Sequence, residues 1–259
     1  MTKSWRCGVR QATLESWTLL GALAAQTTRL RLGVIVTSNR LRPPTVLAKM
    51  AATVDHISRG RLVLGIGAGG SRVADPAGME LVQREFDAYG IDIVSAVEAL
   101  GALGEACTII RRMWTETEPF DFDGRYYRLR GTICEPKPVQ QPHPPILIGA
   151  GGEKVALRVV AEHADIWNCP ARNADEFRRK SQVLDEHCRA IGRDPDAIVR
   201  SMQVIVSVDD VPGARRFLVE LIEAGCRHLV LGPRRPVPSA AWLAEEIIEP
   251  VLAQASAVR

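Results

Sequence analysis

Two glycine clusters are the parts of this sequence best suited to binding chemistry: Gly65-Ile-Gly-Ala-Gly-Gly70 and Gly149-Ala-Gly-Gly152. Glycine lets a chain turn tightly and approach a ligand with its main chain. Where such a turn leads into a helix, unbonded N–H groups and the helix dipole favour an anion, most often a phosphate. Gly149-Ala-Gly-Gly152 is followed at once by a segment read as a helix from Glu153-Lys154, so it is a candidate phosphate loop; a tight turn with no ligand accounts for it equally well. The first cluster resembles the dinucleotide pattern G-x-G-x-x-G. No clear helix opens directly after it and no acidic residue ends a second strand about 20 positions on, so it does not meet the NAD fingerprint.

Other reactive residue types are less organised. The five histidines, His56, His143, His163, His187 and His228, lie at no metal-ligand spacing and read as structural or solvated. Trp17, Trp114 and Trp167 read as core. There is no G-x-S-x-G, H-E-x-x-H or Walker motif, which removes support for hydrolase and NTPase readings. The six cysteines are scattered without a C-x-x-C pair, as expected of a chain kept in a reducing cytoplasm.

The elements that must position these residues follow a βα rhythm. Short apolar, β-branched runs predict strands at 30–37, 61–67, 145–149, 164–168, 198–206 and 227–231. Helical spacing predicts helices at 14–27, 43–57, 93–114, 153–162, 174–191, 211–224 and 240–253, with Gly60 as a C-terminal cap. Residues 71–92 read as polar and irregular. A hairpin is expected around Asp123-Gly124, followed by a stiff connector carrying Pro136, Pro138, Pro142, Pro144 and Pro145. Continuous apolar strands alternating with helices mean a parallel sheet covered by helices. Six strands suit an open sheet, whereas a closed (β/α)8 barrel needs eight.

Composition sets the outer limits. With 259 residues, 46% hydrophobic and 24% charged, the chain can bury a sizeable core. A net charge of +3, with both signs interspersed, offers no clustered basic face for nucleic acid. No apolar run approaches the roughly 18 residues of a membrane span, and no apolar segment follows the opening residues as in a signal peptide.

Five ordered segments together resemble the bacterial-luciferase-like (LLM class) family of flavin- and coenzyme F-420-dependent oxidoreductases. They are Leu14-Glu-Ser-Trp-Thr-Leu-Leu with Ala24-Ala-Gln-Thr-Thr-Arg-Leu-Arg-Leu-Gly33; Leu47-Ala-Lys-Met-Ala-Ala-Thr-Val-Asp-His-Ile-Ser58; Gly60-Arg-Leu-Val-Leu-Gly-Ile-Gly-Ala-Gly69; Pro136-Lys-Pro-Val-Gln140 with Pro142-His-Pro-Pro-Ile-Leu-Ile-Gly149; and Ala164-Asp-Ile-Trp-Asn168.

The resemblance implies one TIM-barrel-like (β/α)8 domain over residues 1–259, with about six strands present and an insertion at about 115–144. It implies hydride transfer between coenzyme F-420, or alternatively reduced FMN, and a small organic substrate; separately, a homo-oligomer such as a dimer is expected. By the same analogy Val36, Thr37 and Asn39 line the ring site, with a non-proline cis peptide near Ile35–Val36. Gly67 and Ala68 lie near the ring or the ribityl chain. Gly149, Ala150, Gly151 and Gly152 hold the phosphate.

The family pattern opens with a strand, a helix and a second strand bearing an Asp-His pair; this sequence opens at the following helix. No catalytic residue is therefore assigned. Three accounts are open: a natural product that starts further upstream, an incomplete barrel closed by a partner, and a degenerate non-catalytic relative acting through assembly or weak cofactor binding. Exposed strand edges and an open apolar interior favour the first.

Overall fold

The computed structural model describes residues 13–69, 76–233 and 239–257. The chain divides into two compact units, Met1–Leu147 and Ile148–Arg259, and the division falls within one strand.

In the first unit, helix α1 (Ser16–Gln26) is started by Glu15, whose carboxylate accepts the N–H groups of Trp17 and Thr18. Its buried side carries Trp17, Leu20 and Ala24, the spacing expected of a helix with one packed face. The strand predicted at 30–37 is two short pieces, β1 (Leu32–Gly33) and β2 (Thr37–Ser38). Both run parallel to β3 (Leu62–Gly67), with Leu32 opposite Leu62 and Thr37 opposite Ile66. The interruption has a local cause. Main chain at Val34 presses against Gly65 so closely that a Cβ there would lie 1.9 Å from the Val34 carbonyl oxygen. The Ile35–Val36 peptide between the pieces is cis, as the resemblance implies.

Helix α2 (Pro44–Ser58) starts on proline, whose missing N–H is not needed there. It ends through Arg59 (φ 56°) and Gly60 (φ 79°), the Gly60 N–H bonding the Asp55 carbonyl at 2.9 Å. Residues 71–92 depart from expectation: the described part contains helix α3 (Pro76–Ala88). Met79, Glu80, Leu81, Gln83, Arg84 and Glu85 are strong helix formers, and Phe86 supplies a buried anchor at 3% exposure. Of the remainder, 89–92 form a turn and an irregular stretch, while Gly70 and 71–75 lie outside the described residues.

Helix α4 (Ala96–Thr115), capped by Ser95, packs along α2 and donates the Trp114 indole N–H to the Ala48 carbonyl at 3.0 Å. The expected hairpin is β4 (Phe120–Asp123) with β5 (Arg128–Thr132). The proline-rich connector is held by Asp55, fully buried, which accepts the N–H groups of Val139 (2.8 Å) and Gln140 (3.0 Å) and the Gln140 amide (2.7 Å). Strand β6 (Ile146–Gly149) crosses the division between the units.

In the second unit the order is α5 (Ala156–His163), β7 (Ile166–Asn168), α6 (Ala174–Ala190), β8 (Val199–Val206), α7 (Val211–Glu223) and β9 (His228–Pro233). The strands are parallel, with Asn168 opposite Ser201 and Ser201 opposite His228. On β8 the side chains of Arg200, Met202, Val204 and Val206 alternate into the core beneath the helices. The predicted terminal helix is α8 (Ala240–Leu243), a π turn at Ala244–Ile248 and α9 (Glu249–Ala257). Among the described residues no helix is long and apolar enough to cross a membrane.

Candidate functional site

In the first unit the structure brings Thr37, Asn39, Gly67 and Ala68 together at the ends of β2 and β3. Ser38 pairs with Gly67, and the Asn39 N–H bonds the Gly67 carbonyl at 2.9 Å. The Thr37 hydroxyl is buried and accepts the indole N–H of Trp17 at 2.8 Å, which leaves its own proton to donate. Val36 precedes it, half-buried beside the cis peptide. Gly69, at φ 59°, lies so close to Ser38 that a Cβ would meet the Ser38 hydroxyl oxygen at 1.9 Å.

Asn39 is the most informative residue here. It is 2% exposed, and its amide N–H donates to the Tyr127 hydroxyl at 3.0 Å, while its Oδ1 has no hydrogen-bond partner. A buried acceptor left unpaired costs about 1–3 kcal/mol, so folded chains rarely keep one without a use. Next to it, Arg40 has a buried Nε–H without a partner, while its Nη2 donates to the Asp92 carbonyl at 3.1 Å. Burial raises the Tyr127 phenol above its ordinary pKa, so the group stays protonated and neutral.

In the second unit Gly149, Ala150, Gly151 and Gly152 form the turn after β6. The helix begins later than the sequence predicts, at Ala156, because residues 153–155 make a turn first. Two side-chain donors fix this loop. The indole N–H of Trp167, fully buried, donates to the Ala150 carbonyl at 2.8 Å. Lys180, only 8% exposed, donates to the Gly151 carbonyl at 2.8 Å. In a trans peptide the N–H points opposite to the C=O of the same unit. The bonds to Trp167 and Lys180 therefore turn the N–H groups of Gly151 and Gly152 to the other side. The Ala150 N–H is engaged with the Asn168 carbonyl at 3.3 Å. A Cβ on Gly151 would lie 2.6 Å from Pro170, so the turn is packed on one side.

The electrostatics around the loop lean positive. Glu176 takes the Arg172 N–H at 3.0 Å and guanidinium at 3.1 Å, and stands 3.4 Å from the Lys180 ammonium. These bonds, led by the Arg172 main chain and then its side chain, hold the Glu176 carboxyl down to about 2. Burial pushes the nearby Cys169 thiol up to about 12, so it is an inert thiol.

The sequence reading did not single out Trp167, Lys180, Tyr127 or Arg40 as site residues. Trp17 and Trp167 are core, as read, but each also holds one expected site residue. Two of the described histidines hold neighbouring main chain: His56 meets the Lys137 carbonyl at 2.7 Å and His187 the Glu153 carbonyl at 2.8 Å. Two cavities are formed elsewhere. One of about 370 Å³ is lined by Leu218, Leu229, Leu231, Ile247 and Val251, and one of about 700 Å³ by Val46, Met50, Met113 and Leu129 with neighbours. Neither is lined by a residue of the strand-end loops. Among the described residues no cluster of three His, Cys, Asp or Glu side chains is placed to hold a metal.

Comparison with known proteins places the fold among luciferase-like TIM-barrel proteins. The chain belongs to the luciferase-like monooxygenase family, whose model matches residues 1–238. An uncharacterized protein of Mycobacterium tuberculosis is 32% identical over 236 residues, which span 91% of this chain and 75% of that one. The phthiodiolone/phenolphthiodiolone dimycocerosates ketoreductase of the same organism is 30% identical over 255 residues, 96% of this chain but 60% of the enzyme. Among solved structures, an F-420-dependent secondary alcohol dehydrogenase with an F-420–acetone adduct matches with a TM-score of 0.76 at 18% identity, covering 94% of this chain and 86% of that one. The F-420-dependent tetrahydromethanopterin reductase of Methanopyrus kandleri gives 0.72 at 18%, covering 91% and 87%. A riboflavin lyase with modified FMN and riboflavin gives 0.74 at 15%, covering 95% and 75%. These likenesses establish the fold, and with the family match they define the chain as a luciferase-like oxidoreductase.

Proposed function

We propose that the protein binds coenzyme F-420 and moves a hydride between it and the carbonyl or alcohol carbon of a small organic substrate, with FMN as the alternative coenzyme. The observation that carries this reading is the buried, unpartnered Oδ1 of Asn39 at the strand ends of the first unit. Both coenzymes carry a ring whose pyrimidine edge presents an N–H between two carbonyl oxygens. Asn39 Oδ1 accepts that N–H, and the Arg40 Nε–H is a donor of the complementary type. Val36 and Ala68 provide apolar contact, Gly67 allows close main-chain approach, and the Thr37 hydroxyl is oriented by Trp17. On the second unit, the Gly151 and Gly152 amides receive the coenzyme phosphate, while Gly149 and Ala150 shape the turn.

The coenzyme, when bound, supplies the hydride chemistry; the chain binds, orients and keeps water from the ring. The named relatives support the substrate class, since one is a ketoreductase and another holds an acetone adduct. Fluorescence titration of the purified protein with coenzyme F-420 and with FMN tests the reading. Saturable binding of F-420 at micromolar concentration or below, followed by oxidation of reduced F-420 on adding a ketone, is expected. Tight binding of FMN instead selects the alternative coenzyme, and binding of neither defeats the proposal.

A further inference from the structure

We infer that Lys180 is the residue through which this protein tells a phosphorylated coenzyme from its phosphate-free form. The inference deepens the reading above and rests on it. Lys180 projects from the second turn of α6 and is almost wholly buried beneath the glycine turn. A lysine ammonium carries three donors; one meets the Gly151 carbonyl at 2.8 Å and the group stands 3.4 Å from the Glu176 carboxylate. Burying a charge is unfavourable unless it is paired, and the pairing here is incomplete in sign. Glu176 is shared between Lys180 and Arg172, so two cations face one carboxylate. The residual positive charge lies behind the two amides that the loop presents.

The geometry gives Lys180 two effects on a bound anion. By holding the Gly151 carbonyl it fixes the peptide plane whose other end is the Gly152 N–H. Its charge acts across that same peptide, in surroundings where water screens poorly. A phosphate on the Gly151 and Gly152 amides gains from both effects; a coenzyme ending in a ribityl hydroxyl gains from neither. Lys180 is a positioning residue, since it reaches the ligand through the loop.

The test compares affinities for FMN against riboflavin, and for coenzyme F-420 against its phosphate-free deazaflavin, in wild type and in the variants Lys180→Met, Lys180→Gln and Lys180→Arg. Thermal unfolding of each variant without ligand is measured beside the titrations. Lys180→Met is expected to weaken the phosphorylated coenzyme about tenfold or more while the phosphate-free form changes less than about threefold. Lys180→Gln keeps a donor to Gly151 without the charge, so it loses the preference for phosphate while keeping more thermal stability than Lys180→Met. Lys180→Arg keeps most of the preference. A merely structural lysine would lower both affinities together, and that result, or an unchanged ratio in Lys180→Met and Lys180→Gln alike, overturns the inference while leaving the coenzyme reading intact. A wild-type protein that binds none of the four compounds overturns the coenzyme reading and this inference with it.

Discussion

Replacing Asn39 separates folding from ligand recognition, because its two amide atoms have opposite situations. The Nδ2 donates one neutral hydrogen bond to Tyr127 at 3.0 Å, worth about 1 kcal/mol net. The Oδ1 is buried with no partner and costs about 1–3 kcal/mol in the unliganded fold. In Asn39→Leu, which keeps the branched heavy-atom shape, about 1 kcal/mol is lost with the first effect and about 1–3 kcal/mol is recovered with the second. Unliganded stability should stay level or rise by up to about 2 kcal/mol. Coenzyme binding behaves differently, because the ring N–H loses its acceptor and is buried unpaired. That costs about 1–3 kcal/mol, or about 5- to 150-fold in affinity. Urea unfolding without ligand and fluorescence titration with coenzyme F-420 and FMN measure the two quantities independently. A variant destabilised by about 3 kcal/mol or more with unchanged affinity would refute the reasoning, since Asn39 would then be a structural residue only.

Three other perturbations follow from the same structure. Gly65→Ala drives a Cβ to 1.9 Å from the Val34 carbonyl and is expected to lower stability by about 3 kcal/mol or more, while Gly21→Ala, with nothing within 4 Å, raises it by about 0.5–1 kcal/mol; thermal melts of the pair check the contrast. Asp55→Ala strands the N–H groups of Val139 and Gln140 and should cost about 3–5 kcal/mol in urea unfolding, with the connector near 139–140 becoming the first site of proteolysis. Glu176 has its carboxyl held at about 2 against an ordinary 4.5, so its contribution is full above pH 4.5 and is lost as pH falls toward 2. Glu176→Gln should therefore flatten the acid limb of stability against pH by at most about 2 kcal/mol between pH 5 and 3, read from urea midpoints over that range.

All six parallel-strand positions were legible because a parallel strand covered by helices must be apolar on both faces, and Leu62–Gly67 and Ile146–Gly149 are written that way. Helix α3 was not legible from apolar spacing, since its burial rests largely on Phe86; its helix-forming residues were the signal that could have found it. The break between β1 and β2 comes from a main-chain approach to Gly65, which no periodicity records. At the site, the glycine turns and the Thr37–Asn39 segment could be named from sequence and resemblance. The residues that orient them could not, because Trp17, Trp167, Lys180 and Tyr127 act from 20, 17, 29 and 88 positions away. Trp17 and Trp167 also look like ordinary core in a linear reading, since an indole buries its ring whether or not its N–H has a task.

The most direct measurement is a crystal structure of the protein with coenzyme F-420 or FMN bound. The account predicts the phosphate within hydrogen-bond distance of the Gly151 and Gly152 nitrogens and the ring N–H on Asn39 Oδ1. A coenzyme seated in either of the two cavities away from the strand ends, with Asn39 Oδ1 untouched, would contradict it.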